Sequence, residues 1–178
     1  NKYALVGVLK NASWNATSTR SSLNFSGVDA YVDFTTTELD IDNDITVSFW
    51  MNPQAEEGVI MSQDWGYIGY EYGWAISLGA NHHLDNNPLA VTWSSGTNTS
   101  NLNEGNVIQT PPYSISLNQW QQIVIRKQNK QIDIFINGAL VTSEQLIDGS
   151  IAWPFASEKK FSLAKAMVHP DMYNSNYQ

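Results

Sequence analysis

The feature that most constrains this chain is alternation. Ile45, Val47, Phe49 and Met51 point one way from a single stretch, while Thr46, Ser48 and Trp50 point the other. A period of two is the repeat of a half-buried strand; a helix repeats near 3.6. Trp74, Ile76 and Leu78 share a face in the same manner, with Ala75 and Ser77 opposite. Further stretches of strand character are Leu23–Phe25, Tyr31–Phe34, Gly58–Ser62, Leu89–Trp93, Trp120–Lys127, Gln131–Ile136, Ala139–Thr142 and Phe161–Ala164. Asn137-Gly138 between two of them predicts a tight type I′ hairpin, because both residues tolerate positive φ. About ten strands at hairpin spacing predict an all-β protein, a two-sheet antiparallel jelly-roll sandwich. The expected inward set is Phe25, Val32, Ile45, Val47, Phe49, Ile60, Ile76, Leu78, Val91, Ile123, Ile125, Ile134 and Ile136. A chain of 178 residues is one domain of this kind, and no linker divides it.

Charge removes whole classes of function. Asp and Glu number 17 against 9 Lys and Arg, so the net charge is −8. Such a field repels polyanions, and nucleic acid is excluded as a partner. There is no cysteine, which removes disulfides, thiol nucleophiles and Cys-based metal sites. No apolar run reaches the roughly eighteen residues of a membrane span, so no membrane insertion is expected. Charged residues are only 15% and aromatics are 12%. Neutral polar surface of that kind points to an extracellular or cell-surface location. The chain opens on Asn1 without a signal peptide, which reads as a mature product or an excised piece.

Four blocks in order resemble the LamG-like jelly-roll domains of the concanavalin A-like lectin/glucanase superfamily. They are Leu23-Asn24-Phe25-Ser26-Gly27-Val28-Asp29-Ala30-Tyr31-Val32, Ile45 to Pro53, Trp120 to Ile125, and Ile132 to Gly138. The resemblance implies the same sandwich and a binding or adhesion module of a larger extracellular protein with neighbouring domains. Family domains carry an extra strand at each end, and neither is evident here. The apolar run Tyr3–Leu9 makes residues 1–14 a candidate replacement for the first strand. The expectation is a single domain over residues 1–178 that is either truncated at its flanking strands or completed by a neighbouring segment or partner.

The functional candidates lie in the connections. Between Asp64 and Trp74 stand Trp65, Tyr67, Tyr70, Tyr72 and Trp74, against roughly one aromatic expected from composition. Glycines at 66, 69 and 73 separate them. Indole and phenol rings stack on the C–H faces of sugars and offer a polar tip to their hydroxyls. Trp65, Tyr67 and Tyr70 are the predicted ligand-binding rings, with His82, His83 and Asn86 as polar partners; Trp74 belongs to a strand and reads as core. With little positive charge nearby, the expected ligand is a neutral saccharide.

Many LamG-like domains bind calcium, which takes oxygen ligands. Asp29 and Asp33 are the candidate ligands of such an ion. Asp40, Asp42 and Asp44 have the opening spacing of an EF-hand loop but lack its Gly and closing Glu. Glu38, Asp40 and Asp42 imitate the paired carboxylates of laminarinase-type glucanases, yet they fall in a connection and are read as solvated, not catalytic. The expected function is therefore a non-catalytic carbohydrate-binding or adhesion module and not an enzyme. The alternatives are a protein–protein assembly module of the same fold and, less favoured, a laminarinase-type glucanase.

Overall fold

The structure is a computed structural model that describes residues 6–16, 21–27, 29–34, 44–63, 73–79, 87–96, 106–151, 153 and 160–165. Among them there are thirteen strands and no helix. In chain order they are β1 (Gly7–Lys10), β2 (Ala12–Ala16), β3 (Ser21–Phe25), β4 (Tyr31–Phe34), β5 (Ile45–Met51), β6 (Gly58–Gln63) and β7 (Trp74–Leu78). Then come β8 (Val91–Ser95), β9 (Asn106–Gln109), β10 (Gln121–Gln128), β11 (Gln131–Ile136), β12 (Ala139–Gln145) and β13 (Phe161–Leu163). One sheet has seven strands in the order β1-β4-β13-β6-β7-β8-β9, the other four in the order β12-β11-β10-β5, and β2 with β3 forms a separate hairpin. Every pairing is antiparallel. This is the all-β jelly-roll sandwich that the alternation predicts.

All ten expected strands are present, with three more. β9 carries only Val107 and Ile108 between polar neighbours, too short a run for alternation to register. β2 is largely exposed, and its one apolar face, Ala12, Trp14 and Ala16, is too short and small to register, with Trp14 64% exposed. The strand expected from Leu89 starts instead at Val91, because Leu89 turns the chain with φ 55°. Asn137 and Gly138 both have positive φ, 51° and 82°, as a type I′ turn requires. The Asn137 side chain also accepts the Gln122 N–H at 2.9 Å, fastening the turn to β10.

Between the sheets, Trp74, Ile76, Leu78, Val91, Trp93 and Ile108 face Ile123, Ile125, Ile132, Ile134 and Ile136 in one apolar cluster. Trp74 stacks on Trp93 with ring centroids 5.4 Å apart, and Phe161 lies 6.0 Å from Trp74. Val32 is buried as predicted, whereas Phe25, Ile45, Val47, Phe49 and Ile60 are only half-buried. Ile60 sits where the register of β6 slips, so Met61 takes the sealed place opposite Ile76. The β5 residues are half-open, and among the described residues β5 is the last strand of its sheet.

Lys127 is an unexpected core residue. The alternation Ile123, Ile125, Lys127 carries it inward, where it is 1% exposed. Its ammonium donates to the carbonyls of Asn129 at 2.9 Å and Gly149 at 2.5 Å. Burial pushes its pKa below the usual lysine value, with Asp44 and Asp148 acting in the opposite sense.

Candidate functional site

One row of register partners, Phe34, Phe161, Gln63, Trp74, Ser95 and Asn106, crosses six strands at one end of the seven-stranded sheet. Gln63, Trp74, Ser95 and Asn106 are all sealed from solvent. The Trp74 indole donates to Gln63 Oε1 at 3.0 Å, tying the last residue of β6 to the first of β7. Those two residues flank the segment that carries Trp65, Tyr67 and Tyr70. The N–H of Gly96 bonds the carbonyl of Gly73 at 2.9 Å, so segment 97–105 is rooted beside segment 64–72. Asn106 in turn grips the opposite side of the sandwich: its amide donates to Asp148 O at 2.6 Å and accepts the Asp148 N–H at 2.9 Å. Gln63, Gly73, Trp74, Gly96 and Asn106 at these roots are all buried and hydrogen-bonded.

The predicted ring residues Trp65, Tyr67 and Tyr70 themselves lie outside the described residues, as do His82, His83 and Asn86 and the carboxylates Glu38, Asp40 and Asp42. The roots of the two predicted groups are described, and they stand at opposite ends of β7. Segment 64–72 starts after Gln63, and segment 80–86 starts after Gly79. A five-residue strand separates them by roughly 13 Å.

The outward face of the seven-stranded sheet runs between those two ends. It carries Tyr31 and Asp33 on β4, Ser162 on β13, Ser62 on β6, Ala75 and Ser77 on β7, and Thr92 and Ser94 on β8; of these only Tyr31, Asp33 and Ser77 are partly open, and the others are buried. At one flank is a chain of neutral amides and a hydroxyl. Asn87 Nδ2 donates to Gln109 Oε1 at 2.7 Å, and Gln109 Nε2 donates to Thr92 Oγ1 at 2.8 Å. Asn87 is the residue at which segment 80–86 returns to the sheet. At the other flank Lys165 Nζ lies 4.1 Å from the Tyr31 ring centre and 3.1 Å from Asp33 Oδ2, while Lys10 Nζ lies 5.2 Å from the same ring. Sequence reasoning offers Asn87, with Asn81, Asp85 and Asn86, as a hydrogen-bonding loop residue, but it does not single out Tyr31, Thr92 or Gln109.

Of the two predicted calcium ligands, Asp33 meets Lys165 through Oδ2, and its Oδ1 is buried with no hydrogen-bond partner. Asp29 stands exposed at φ 50°, ahead of β4, and its backbone oxygen accepts the Asn11 amide at 3.3 Å. Among the described residues no three His, Cys, Asp or Glu gather as a metal cluster. Two described carboxyls, Asp133 and Asp148, are held below the usual carboxylate range by their hydrogen bonds. A depressed pKa suits a permanent anion and is the reverse of what a general acid needs at neutral pH.

Exposed aromatics form a second feature. Trp50, 58% exposed, stands on the outward face of β5 opposite Gln122. Trp120, 51% exposed, precedes β10 by one residue.

No curated protein sequence matches this chain. Solved structures do match in fold. HCR/D, solved as a mutant, has a TM-score of 0.60 at 17% identity, over 90% of this chain and 38% of that one. Domain 4 of AbnA, a GH43 extracellular arabinanase from Geobacillus stearothermophilus solved with arabinotriose, has a TM-score of 0.59 at 14% identity, over 88% of this chain and 72% of that one. The LG4-5 domains of the mouse laminin alpha1 chain give 0.52 at 11% identity, over 83% and 34%. The chain thus spans little more than a third of the HCR/D and laminin chains. At these identities the likeness is one of fold. The sequence itself matches the Laminin_G_3 family model over residues 26–175, most of its length. This chain belongs to the Laminin_G_3 family of the concanavalin A-like lectin/glucanases superfamily.

Proposed function

We propose that the chain is a non-catalytic module of an extracellular or cell-surface protein that binds a neutral saccharide. The observation that carries this reading is the rooting of segment 64–72. Its aromatic residues hang between Gln63 and Trp74, two sealed core residues joined by a hydrogen bond. Binding residues accumulate on loops that a fixed scaffold positions. The domain of AbnA solved with arabinotriose lends support by likeness of fold.

The ligand is an oligosaccharide rather than a single sugar. The segment that carries Trp65, Tyr67 and Tyr70 is rooted at one end of β7 and the segment that carries His82, His83 and Asn86 at the other, so a ligand that uses both groups spans more than one sugar. Asn87, Gln109 and Thr92 continue the neutral hydrogen-bonding chemistry expected of Asn86. Titration of tryptophan fluorescence with neutral oligosaccharides of increasing length tests this. Affinity should rise with length and then level off. Uniform silence across a glycan array would refute it and favour the assembly-module alternative. Release of reducing sugar from β-glucans would refute the non-catalytic assignment.

Calcium remains part of the proposal, with Asp29 and Asp33 as its ligands. An ion bound to the folded state alone raises the melting temperature as its concentration rises. The expected result is a rise in millimolar calcium that Asp33→Asn removes. Identical melting in calcium and in excess chelator would refute it.

A further inference from the structure

The outward face of the four-stranded sheet sets open aromatic rings among neutral polar groups. β5 turns Thr46, Ser48 and Trp50 outward, and all three are exposed. Their register partners on β10 are Arg126, Val124 and Gln122. Phe135 on β11 and Leu140 on β12 continue the row of Val124 across the sheet. Trp120 stands two residues before Gln122, so the parity of β10 puts it on the same face, diagonal to Trp50. Trp50, Trp120 and Leu140 are each more than half exposed. Single exposed hydrophobics are ordinary on a protein surface, whereas a group of rings on one face marks a contact surface.

At the other end of β5 lies a cleft of about 260 Å³ lined by Asp44, Ile45, Thr46, Arg126, Lys127 and Gln128. Arg126 is fixed where cleft and face meet. It donates to Asp133 Oδ2 through Nε at 3.0 Å and Nη2 at 2.6 Å, and it lies 5.9 Å from the Phe135 ring centre. Asp133 Oδ1 accepts from Ser143 at 2.7 Å and Gln131 at 3.2 Å. Among the described residues the face and cleft hold Arg126 and Lys127 against Asp44 and Asp133, a balance of charge on a chain whose net charge is −8. Such a surface draws neither anions nor cations. The middle of a protein–protein interface is apolar. Here Ser48, Gln122 and Thr46 stand between the indoles and the cleft, which favours a hydroxylated ligand over a second protein. Rings for C–H faces and neutral groups for hydroxyls are what a sugar needs.

We propose that this face is a second binding site for a neutral oligosaccharide. One sugar ring stacks on Trp50 beside Trp120, the chain follows β5 and β10 past Ser48, and its end enters the cleft. There Thr46, Gln128 and Arg126 meet its hydroxyls. Thr46 and Trp50 are four residues apart on one strand, roughly 13 Å, so the site takes an oligosaccharide and not a single sugar. It shares the ligand class of the reading above but none of its residues. The segments carrying Trp65 and His82 are rooted in the seven-stranded sheet, and this face belongs to the other layer, so one domain holds two glycan chains at once. The face is open and reaches one side of each ring, which makes it the weaker of the two sites.

The test reads the tryptophans one at a time. Labelling with 5-fluorotryptophan gives fluorine signals from the seven tryptophans, and Trp50→Phe and Trp120→Phe assign the two that matter. Titration with neutral arabino-, xylo- and gluco-oligosaccharides of increasing length should move both signals together and saturably. Trp50→Ala should weaken the response at Trp120 at least tenfold without lowering the melting temperature, because Trp50 is exposed. Thr46→Tyr, which fills the cleft from an exposed position, should abolish the gain in affinity with ligand length. Trp65→Ala should leave the Trp50 and Trp120 responses intact, whatever it does to the loop site. Signals of Trp50 and Trp120 that stay still while others move would overturn this proposal and leave the loop reading standing. A response lost in Trp65→Ala would overturn it as an echo of the loop site. Signals that move with protein concentration and not with sugar would overturn it in favour of contact between copies of the chain.

Discussion

Truncation of Trp74 probes the link between core and rim. Its side chain is 1% exposed, stacked on Trp93 at 5.4 Å with planes 8° apart, and bonded to Gln63 at 3.0 Å. A buried aromatic removes about 150–250 Å² from water, worth roughly 4–6 kcal/mol at 25 cal/mol per Å². Measured truncations of buried aromatics fall at about 3–5 kcal/mol, with the cavity included. The two figures agree, so Trp74→Ala should cost about 4 kcal/mol. At roughly 2–4 °C per kcal/mol for a domain of this size, the melting temperature should fall by about 8–16 °C. Urea unfolding should show a lower midpoint at an unchanged slope, since the surface exposed on unfolding is nearly the same. Trp120→Ala, at a half-exposed position, should lose less than half as much. Equal losses at the two positions, or a shift of under about 2 °C for Trp74→Ala, would refute the placement of Trp74 in the core.

Gly79→Ala should be disproportionately harmful for so small a change. Gly79 has φ +75°, and an added Cβ would press on the Glu56 carbonyl and stand 2.8 Å from Glu57 Cβ. A loss of at least about 2 kcal/mol is expected by chemical unfolding; a neutral result would contradict the close approach at this end of β7. Acid should weaken the four-stranded sheet through Asp133. Bonds from Ser143 and Arg126 hold its pKa below the ordinary 3.8. The unfolded chain therefore takes up this proton first as pH falls. The stabilisation is complete above about pH 4 and is lost as pH falls through the lowered native value. Asp133→Asn should flatten the stability profile below pH 4, and an unchanged slope would refute the assignment.

The sandwich was legible because alternation reports directly on which face of a strand is buried. Asn137-Gly138 announced its hairpin, and the periodicity of Trp74 with Ile76 and Leu78 separated it from the loop aromatics beside it. Lys127 was marked inward by the same parity, but its charge argued against burial; two carbonyls from separate loops resolve the conflict, and no local pattern encodes them. The half-burial of Ile45, Val47, Phe49 and Met51 depends on whether β5 has a neighbour, which is a property of topology. The candidate site was legible only as an excess of aromatics. Connections have no periodicity, so nothing local placed the roots of segments 64–72 and 80–86 at opposite ends of one strand, and the amides Asn87 and Gln109 meet only in the folded sheet.

The most direct test of the saccharide-binding account is Trp65→Ala, measured for melting temperature and for affinity toward the neutral oligosaccharide that the wild type binds best. The account predicts a melting temperature within a degree or two of wild type and a loss of binding of at least tenfold, about 1.4 kcal/mol. A stability lowered by the roughly 3–5 kcal/mol of a truncated core aromatic, or an affinity left intact, would contradict it.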